Sequence, residues 1–210
     1  MIKKNLKVLL ITSVVILLPI LAGLVLWNQL PEQTPFHWNM AGEVDDWVSK
    51  PFAVFAMPLI LLAFQWLCVL GTSADPKKAH HPEKILHLVF WIIPVLSAVL
   101  HAIIYATALG KEVRMEMVMP VFMGLLFAII GNYLPKCKQN YTIGIKIPWT
   151  LNSEENWNKT HRFAGRLWVV CGLVIMLSGF FGGVWVFLVA VFPMVIVPFI
   201  YSYVLHRKGI

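Results

Sequence analysis

Charge is what this sequence has least of. Asp, Glu, Lys and Arg make up 13% of its 210 residues, about half the share found in soluble domains. Acids are the scarcer sign, ten against seventeen Lys+Arg. Hydrophobic residues reach 59%, against roughly 45–50% in soluble domains, and the mean hydropathy is +0.76. A soluble core cannot absorb that much apolar surface at this length, so the solvent must be lipid. The formal net charge of +7 would point to nucleic acid in a soluble protein. Here the basic residues cluster between apolar segments, the pattern of membrane orientation and anionic headgroups, which excludes nucleic acid as a direct partner.

Cysteine is nearly absent as well. Cys68 and Cys171 fall inside apolar segments and Cys137 in a basic one, and no CxxC occurs. Nothing in that spacing pairs, so three free thiols in a reducing or lipid setting are expected. There is no low-complexity tract, no soluble domain and no convincing internal repeat. No catalytic residue and no cofactor are expected.

What the sequence has is long apolar runs. Residues 8–27, 52–71, 85–110, 117–134, 163–181 and 184–205 are each close to the ~20 residues that cross a hydrocarbon core. The first run exceeds the roughly 7–15 residues of a signal peptide's apolar region and no small-residue cleavage site follows it, so a retained helix is expected. The fold class is an all-α integral membrane protein, a single membrane domain over 1–210 with six transmembrane helices. With the N-terminus inside, fourteen of the seventeen Lys+Arg fall on inner segments, and Lys50, Lys111 and Arg114 on outer ones. Short loops follow this bias, so both termini are expected to be cytoplasmic. Prolines 19, 58, 94, 120, 193 and 198 lie within spans and read as kinks of packing origin, since neighbouring groups re-satisfy the freed carbonyls.

Two polar stretches interrupt the runs. The outer loop, residues 28–51, gathers His37, Asn39, Glu43, Asp45, Asp46 and Lys50, with Trp38 and Trp47 interleaved. His37 with Asp45 and Asp46 supplies the N and O donors that Zn²⁺ takes, but one His without a second at i+4 is a weak metal signal. A partner-binding surface is a second reading. The third is structural: Asp45 or Asp46 pairs with Lys50, Gly42 makes a turn, and the tryptophans sit at the headgroup level. Within the spans, Gln65, His101 and Asn132 are costly polar groups that either serve function or hydrogen-bond across helices. His80 and His81 lie in a solvated basic loop with Lys77, Lys78 and Lys84.

The inner loop, residues 135–162, is the longest polar interruption. With Arg166 just beyond, it carries Lys136, Lys138, Lys146, Lys159 and Arg162, together with Trp149 and Trp157. Asn152 three residues before Glu155, with Ser153 opening an acidic first turn, resembles a capping box. A helix starting there places Asn156, Lys159 or Thr160, and Phe163 on one stripe, with Trp157, His161 and Ala164 beside it. It is either an interfacial helix on anionic lipid or a protein-docking face, and it can continue unbroken into the fifth span.

The stretch NYLPKCKQNYTIGIKIPWTLNSEENWNKTHRFAGRLW resembles the signature of the SdpI family of bacterial membrane immunity proteins. Its pattern, N-x-x-x-G-I-K/R-x-P-W-T followed by W-x-x-T-H, is matched at Asn140, Gly144, Ile145, Lys146, Pro148, Trp149, Thr150, Trp157, Thr160 and His161. Upstream, Leu30, Pro31, His37, Gly42 and Lys50 match the small N-terminal domain of unknown function common in these proteins. The resemblance implies protection against a secreted, membrane-active peptide toxin. It also implies signalling, in which the membrane protein senses toxin and holds a cytosolic transcriptional repressor at the bilayer. The toxin side would use His37, Trp38, Asn39, Gly42, Asp45, Asp46 and Lys50. The docking side would use the motif residues with Asn156 and Arg162. The alternatives are a metal-dependent membrane enzyme built on the outer His/carboxylate cluster, and a small transporter.

Overall fold

A computed structural model describes residues 2–77, 82–181 and 184–210. Helix α1 spans Ile2–Val25, α2 Met57–Ala74, α3 Glu83–Ala108, α4 Met115–Tyr133, α5 Pro148–Asn152, α6 Glu154–Ser178 and α7 Val184–Arg207; strands β1 (Gln33–Trp38) and β2 (Val44–Ser49) lie between α1 and α2. Among the described residues, six helices are long and apolar enough to cross a membrane. The chain is a multi-pass membrane protein, as its composition requires. The expected basic residues Lys78, His80 and His81 and the expected turn at Gly182 and Gly183 lie outside the described residues.

Three boundaries differ from expectation in ways that matter. Residues 28–51 are not a featureless polar loop. They form an antiparallel hairpin in which Gln33 faces Ser49, Thr34 faces Val48, Pro35 faces Trp47, His37 faces Asp46 and Trp38 faces Val44, with irregular register around His37. Thr, Phe, Trp and Val suit a half-buried pleat, and Gly42, at φ +81°, supplies the reversal. The second span opens with a π-helical turn, Phe52–Ala56, before α2. The fifth span does not start at 163: α6 runs unbroken from Glu154, so the second half of the family motif is part of the spanning helix itself.

The chain divides into two compact units, Met1–Ser73 with Leu86–Met115, and Ala74–Ile85 with Glu116–Ile210. The first is held by two apolar clusters, Leu9, Val69, Leu86 and Phe90, and Leu30, Ala53, Val54, Ile104 and Tyr105. A polar seam runs through it. Gln65 Nε2 donates to Thr12 Oγ1 at 2.8 Å, Ser97 Oγ to the Ile16 carbonyl at 3.2 Å, and Tyr105 Oη to the Pro19 carbonyl at 3.0 Å. His101 Nδ1 lies 2.7 Å from the Ser97 carbonyl, and since a carbonyl only accepts, Nδ1 carries the proton. Interhelical bonds of this kind in lipid average ~0.6 kcal/mol. Gln65 and His101 are buried in this seam, whereas Asn132, grouped with them from sequence, is exposed.

The second unit is built on close helix approach. A Cβ at Gly165 would come within 2.6 Å of the Gly131 carbonyl, one at Gly131 within 2.8 Å of the Gly165 carbonyl, and one at Gly172 within 2.6 Å of the Gly124 carbonyl. Glycines seven residues apart on α4 and on α6 thus face each other in pairs, and small residues let membrane helices approach through their backbones. Farther along, Trp168 Nε1 donates to the Met194 carbonyl at 2.9 Å. That carbonyl would normally bond the amide four residues on, which is Pro198 and has no N–H. The indole re-satisfies what the proline frees.

Candidate functional site

The inner loop is a folded cap on the start of α6, built largely from the motif residues. Ser153 is the N-cap of α6, its hydroxyl accepting from the Asn156 amide at 3.2 Å, and Glu154 and Glu155 follow in the first turn, where carboxylates suit the positive end of the dipole. Trp157, Thr160 and His161 then point inward and are fully buried, as is Asn156. Trp157 Nε1 donates to the Cys137 carbonyl at 2.7 Å, and its ring stacks on that of His161 with centroids 4.0 Å apart. His161 Nδ1 sits 2.8 Å from the Trp157 carbonyl, while the Ile145 amide donates to Nε2 at 2.9 Å. These two partners demand the neutral tautomer protonated on Nδ1.

The segment that approaches His161 must be glycine. Gly144 has φ +118°, and a Cβ there would lie 2.5 Å from His161 Nε2 and 3.0 Å from the Trp157 ring. Asn140 sets up this approach: its Oδ1 accepts from the Thr142 and Ile143 amides and its Nδ2 donates to the Lys138 and Ile143 carbonyls. Pro148 opens the short helix α5, and Thr150 Oγ1 accepts from the Ile147 amide and donates to the Ile145 carbonyl at 2.7 Å. Asn156 Nδ2 donates to the Ser202 carbonyl, and the Ser202 hydroxyl to Asn156 Oδ1 at 2.6 Å, tying α6 to α7. Burial of Cys137 pushes its thiol up to about 11.

Sequence reasoning missed one member. Asp75, buried, accepts from the Tyr141 amide, the Thr142 hydroxyl and the Lys77 amide, and Lys77 Nζ reaches Gln139 Oε1 at 2.6 Å. A lone Asp following an apolar run was the available signal. The cations Lys138, Lys146, Lys159 and Arg162 are exposed on the folded loop, together with Glu154, Glu155 and Tyr141, and Lys159 pairs with Glu155 at 2.8 Å. Trp149 is half-buried among Phe199, Tyr203 and His206, with ring centroids 5.1, 5.1 and 6.1 Å away. The stripe on α6 thus divides differently from a docking face, since Asn156, Trp157, Thr160 and His161 are interior.

On the hairpin, the expected pairing of Lys50 with Asp45 or Asp46 is not formed. Lys50 is 6% exposed; its Nζ donates to the Trp27 and Leu30 carbonyls at 3.3 and 3.2 Å, pairs with Glu32 at 2.8 Å and lies over the Trp27 ring. Carbonyls near the C-terminal end of a helix suit a cation, and Glu32 stands beside them to complete the pairing. Asp45 bonds His37 Nδ1 at 2.6 Å instead, and Asp46 accepts from the Trp47 amide. Asn39 Oδ1 accepts from the Ala41 and Glu43 amides and fixes the tip around Gly42. Trp38 packs on the Leu30–Tyr105 cluster. Among the described residues no three His, Cys, Asp or Glu side chains converge as a metal site, so His37, Asp45 and Asp46 are not brought together as one.

Residues 136–202 match the SdpI/YfhL protein family, and residues 14–62 match a domain of unknown function (DUF1648). The immunity protein SdpI of Bacillus subtilis (strain 168) is 29% identical over 189 residues, 90% of this chain and 87% of that protein. No solved structure matches. The resemblance seen in the two polar stretches is borne out, and it covers both.

Proposed function

We propose, since this chain matches the SdpI/YfhL protein family through its motif loop and last two helices, that it is a membrane immunity protein. The observation that carries this reading is the identity over 90% of the chain to a protein named for immunity. In this reading the chain protects its cell against a secreted peptide toxin, which it meets in the bilayer or at its surface. The hairpin, with His37, Trp38, Asn39, Gly42, Asp45 and Asp46, is the sensing side, and Lys50 holds it to the end of α1. The motif loop is the cytosolic side and holds a transcriptional repressor at the membrane through exposed Lys146 and Arg162. Trp157 and His161 act there indirectly, by giving the loop its shape. Expression in a toxin-sensitive host, followed by challenge with candidate secreted peptides, tests the reading. Survival is expected to rise with the wild-type chain and to fall for the double variant His37→Ala/Asp46→Ala at equal membrane abundance. No protection against any peptide at normal abundance would sink it.

A further inference from the structure

We propose that the face of the hairpin turned away from the core docks a cationic amphipathic peptide. Phe36 and Trp47 take its apolar side, and Glu43 and Asp45 take its cations. This rests on the immunity reading and names the chemistry of the toxin it would meet. Trp38 and Val48 pack against the Leu30–Tyr105 cluster, so the two-residue alternation of β2 sends Asp45, Trp47 and Ser49 to the opposite face. The irregular register around His37 twists β1 as a bulge does and leaves both Phe36 and His37 at the surface. Phe36 is 40% exposed, Trp47 51% and Met40, at the tip, 64%. Phe36 meets Phe52 edge-on at 6.2 Å, extending the apolar surface toward α2. Large apolar side chains gathered within a polar rim mark an interaction surface.

Charge decides the partner. Residues 28–51 hold Glu32, Glu43, Asp45 and Asp46 against Lys50 alone, net −3, in a chain of net +7. The Lys50 ammonium is turned inward and paired with Glu32, so the carboxylates on the Trp47 face are Glu43 and Asp45, with His37 bonded to Asp45. The exposed Asp46, on the Val48 side of β2, adds its charge to the same field. Such a surface repels anionic headgroups and steers cationic partners toward itself. The Asn39 tip bonds and the His37–Asp45 bond hold these groups in place before binding, which lowers the ordering cost of association.

The test uses the full chain in nanodiscs of phosphatidylcholine and two synthetic amphipathic peptides of one pattern, one of Leu and Lys, the other of Leu and Glu. Binding is read by anisotropy of labelled peptide against empty nanodiscs. The Leu/Lys peptide is expected to bind the protein, and the triple variant Glu43→Gln/Asp45→Asn/Asp46→Asn about tenfold more weakly, ~1.4 kcal/mol. The double variant Phe36→Ala/Trp47→Ala, its fold checked by circular dichroism, is expected to weaken binding too. Equal binding by the triple variant, equal binding of the Leu/Glu peptide, or quenching of Trp47 by brominated lipid without peptide would each overturn the proposal. The last outcome would place this face on the bilayer. Toxin challenge separates the two readings: undiminished protection by the triple variant overturns this docking site while immunity stands, whereas no protection by the wild type fails immunity whatever the probe peptides do.

Discussion

His161 shows how one side chain organises the motif loop. Its two ring nitrogens face groups of opposite kind, a carbonyl on Nδ1 and an amide N–H on Nε2, so only the neutral ring satisfies both. Its removal strands the Ile145 amide beside a void, at ~1–3 kcal/mol for an unsatisfied group. Gly144→Ala attacks the same contact from the other side, through a strained φ and a Cβ 2.5 Å from Nε2. Both His161→Ala and Gly144→Ala are therefore expected to lower the melting temperature in detergent. Cys137 reports the opening. Burial disfavours its thiolate and pushes the thiol up to about 11, so the reactive form is scarce at neutral pH and becomes abundant only as pH nears that value. In variants keeping Cys137 as the sole cysteine, alkylation at pH 7.5 is expected to be at least tenfold faster once the loop opens and the thiol returns toward its ordinary value of ~8.5. Unchanged alkylation in both variants would show that His161 does not hold the loop. The motif residues were legible in the sequence as a pattern, but their burial was not: Trp157 among Asn, Lys and Thr reads as a surface aromatic until the loop folds over it. Lys50 misled for a related reason. Besides Glu32, its partners are backbone carbonyls 20 and 23 residues earlier, and no side-chain pattern announces those.

Elements were legible where one physical signal dominates. Twenty apolar residues in a row mean a span in any context, and the six expected runs are all helical. The hairpin was hidden because Pro35 and the adjacent Asp45 and Asp46 break the alternation by which strands are recognised. The α4–α6 seam was hidden for another reason, since single glycines within apolar runs look incidental until Gly124 and Gly131 are set against Gly172 and Gly165. That seam now carries an expectation. Gly172→Val places side-chain atoms where the Gly124 carbonyl and the Ala128 amide already stand, and overpacking costs typically 1–3 kcal/mol. Gly71→Val on α2, whose Cβ meets nothing within 4 Å, is the control. Melting in detergent should drop for Gly172→Val and stay close to wild type for Gly71→Val. Equal behaviour of the two would mean that the close approach does not hold α4 to α6.

For the whole molecule, the charge asymmetry predicts that the two polar stretches lie on opposite sides of the bilayer. The six candidate spans among the described residues predict different faces for the hairpin and the motif loop, because three of them, α2 to α4, separate the two along the chain. Lys+Arg density then predicts which is which: the motif loop and the segments expected on its side hold fourteen of the seventeen, and basic loops tend to stay in the cytoplasm. The hairpin, the acidic part of a basic protein, is thereby expected outside, where a secreted peptide arrives. A cysteine-free variant carrying one new cysteine tests this directly. Gln33→Cys and Asn152→Cys both occupy exposed positions, so burial does not confound the comparison. An impermeant thiol reagent added to intact cells is expected to label the first and to label the second only after lysis. Labelling in the reverse order would put the motif loop outside. The repressor-holding role could not then stand, although both loops would fold as described.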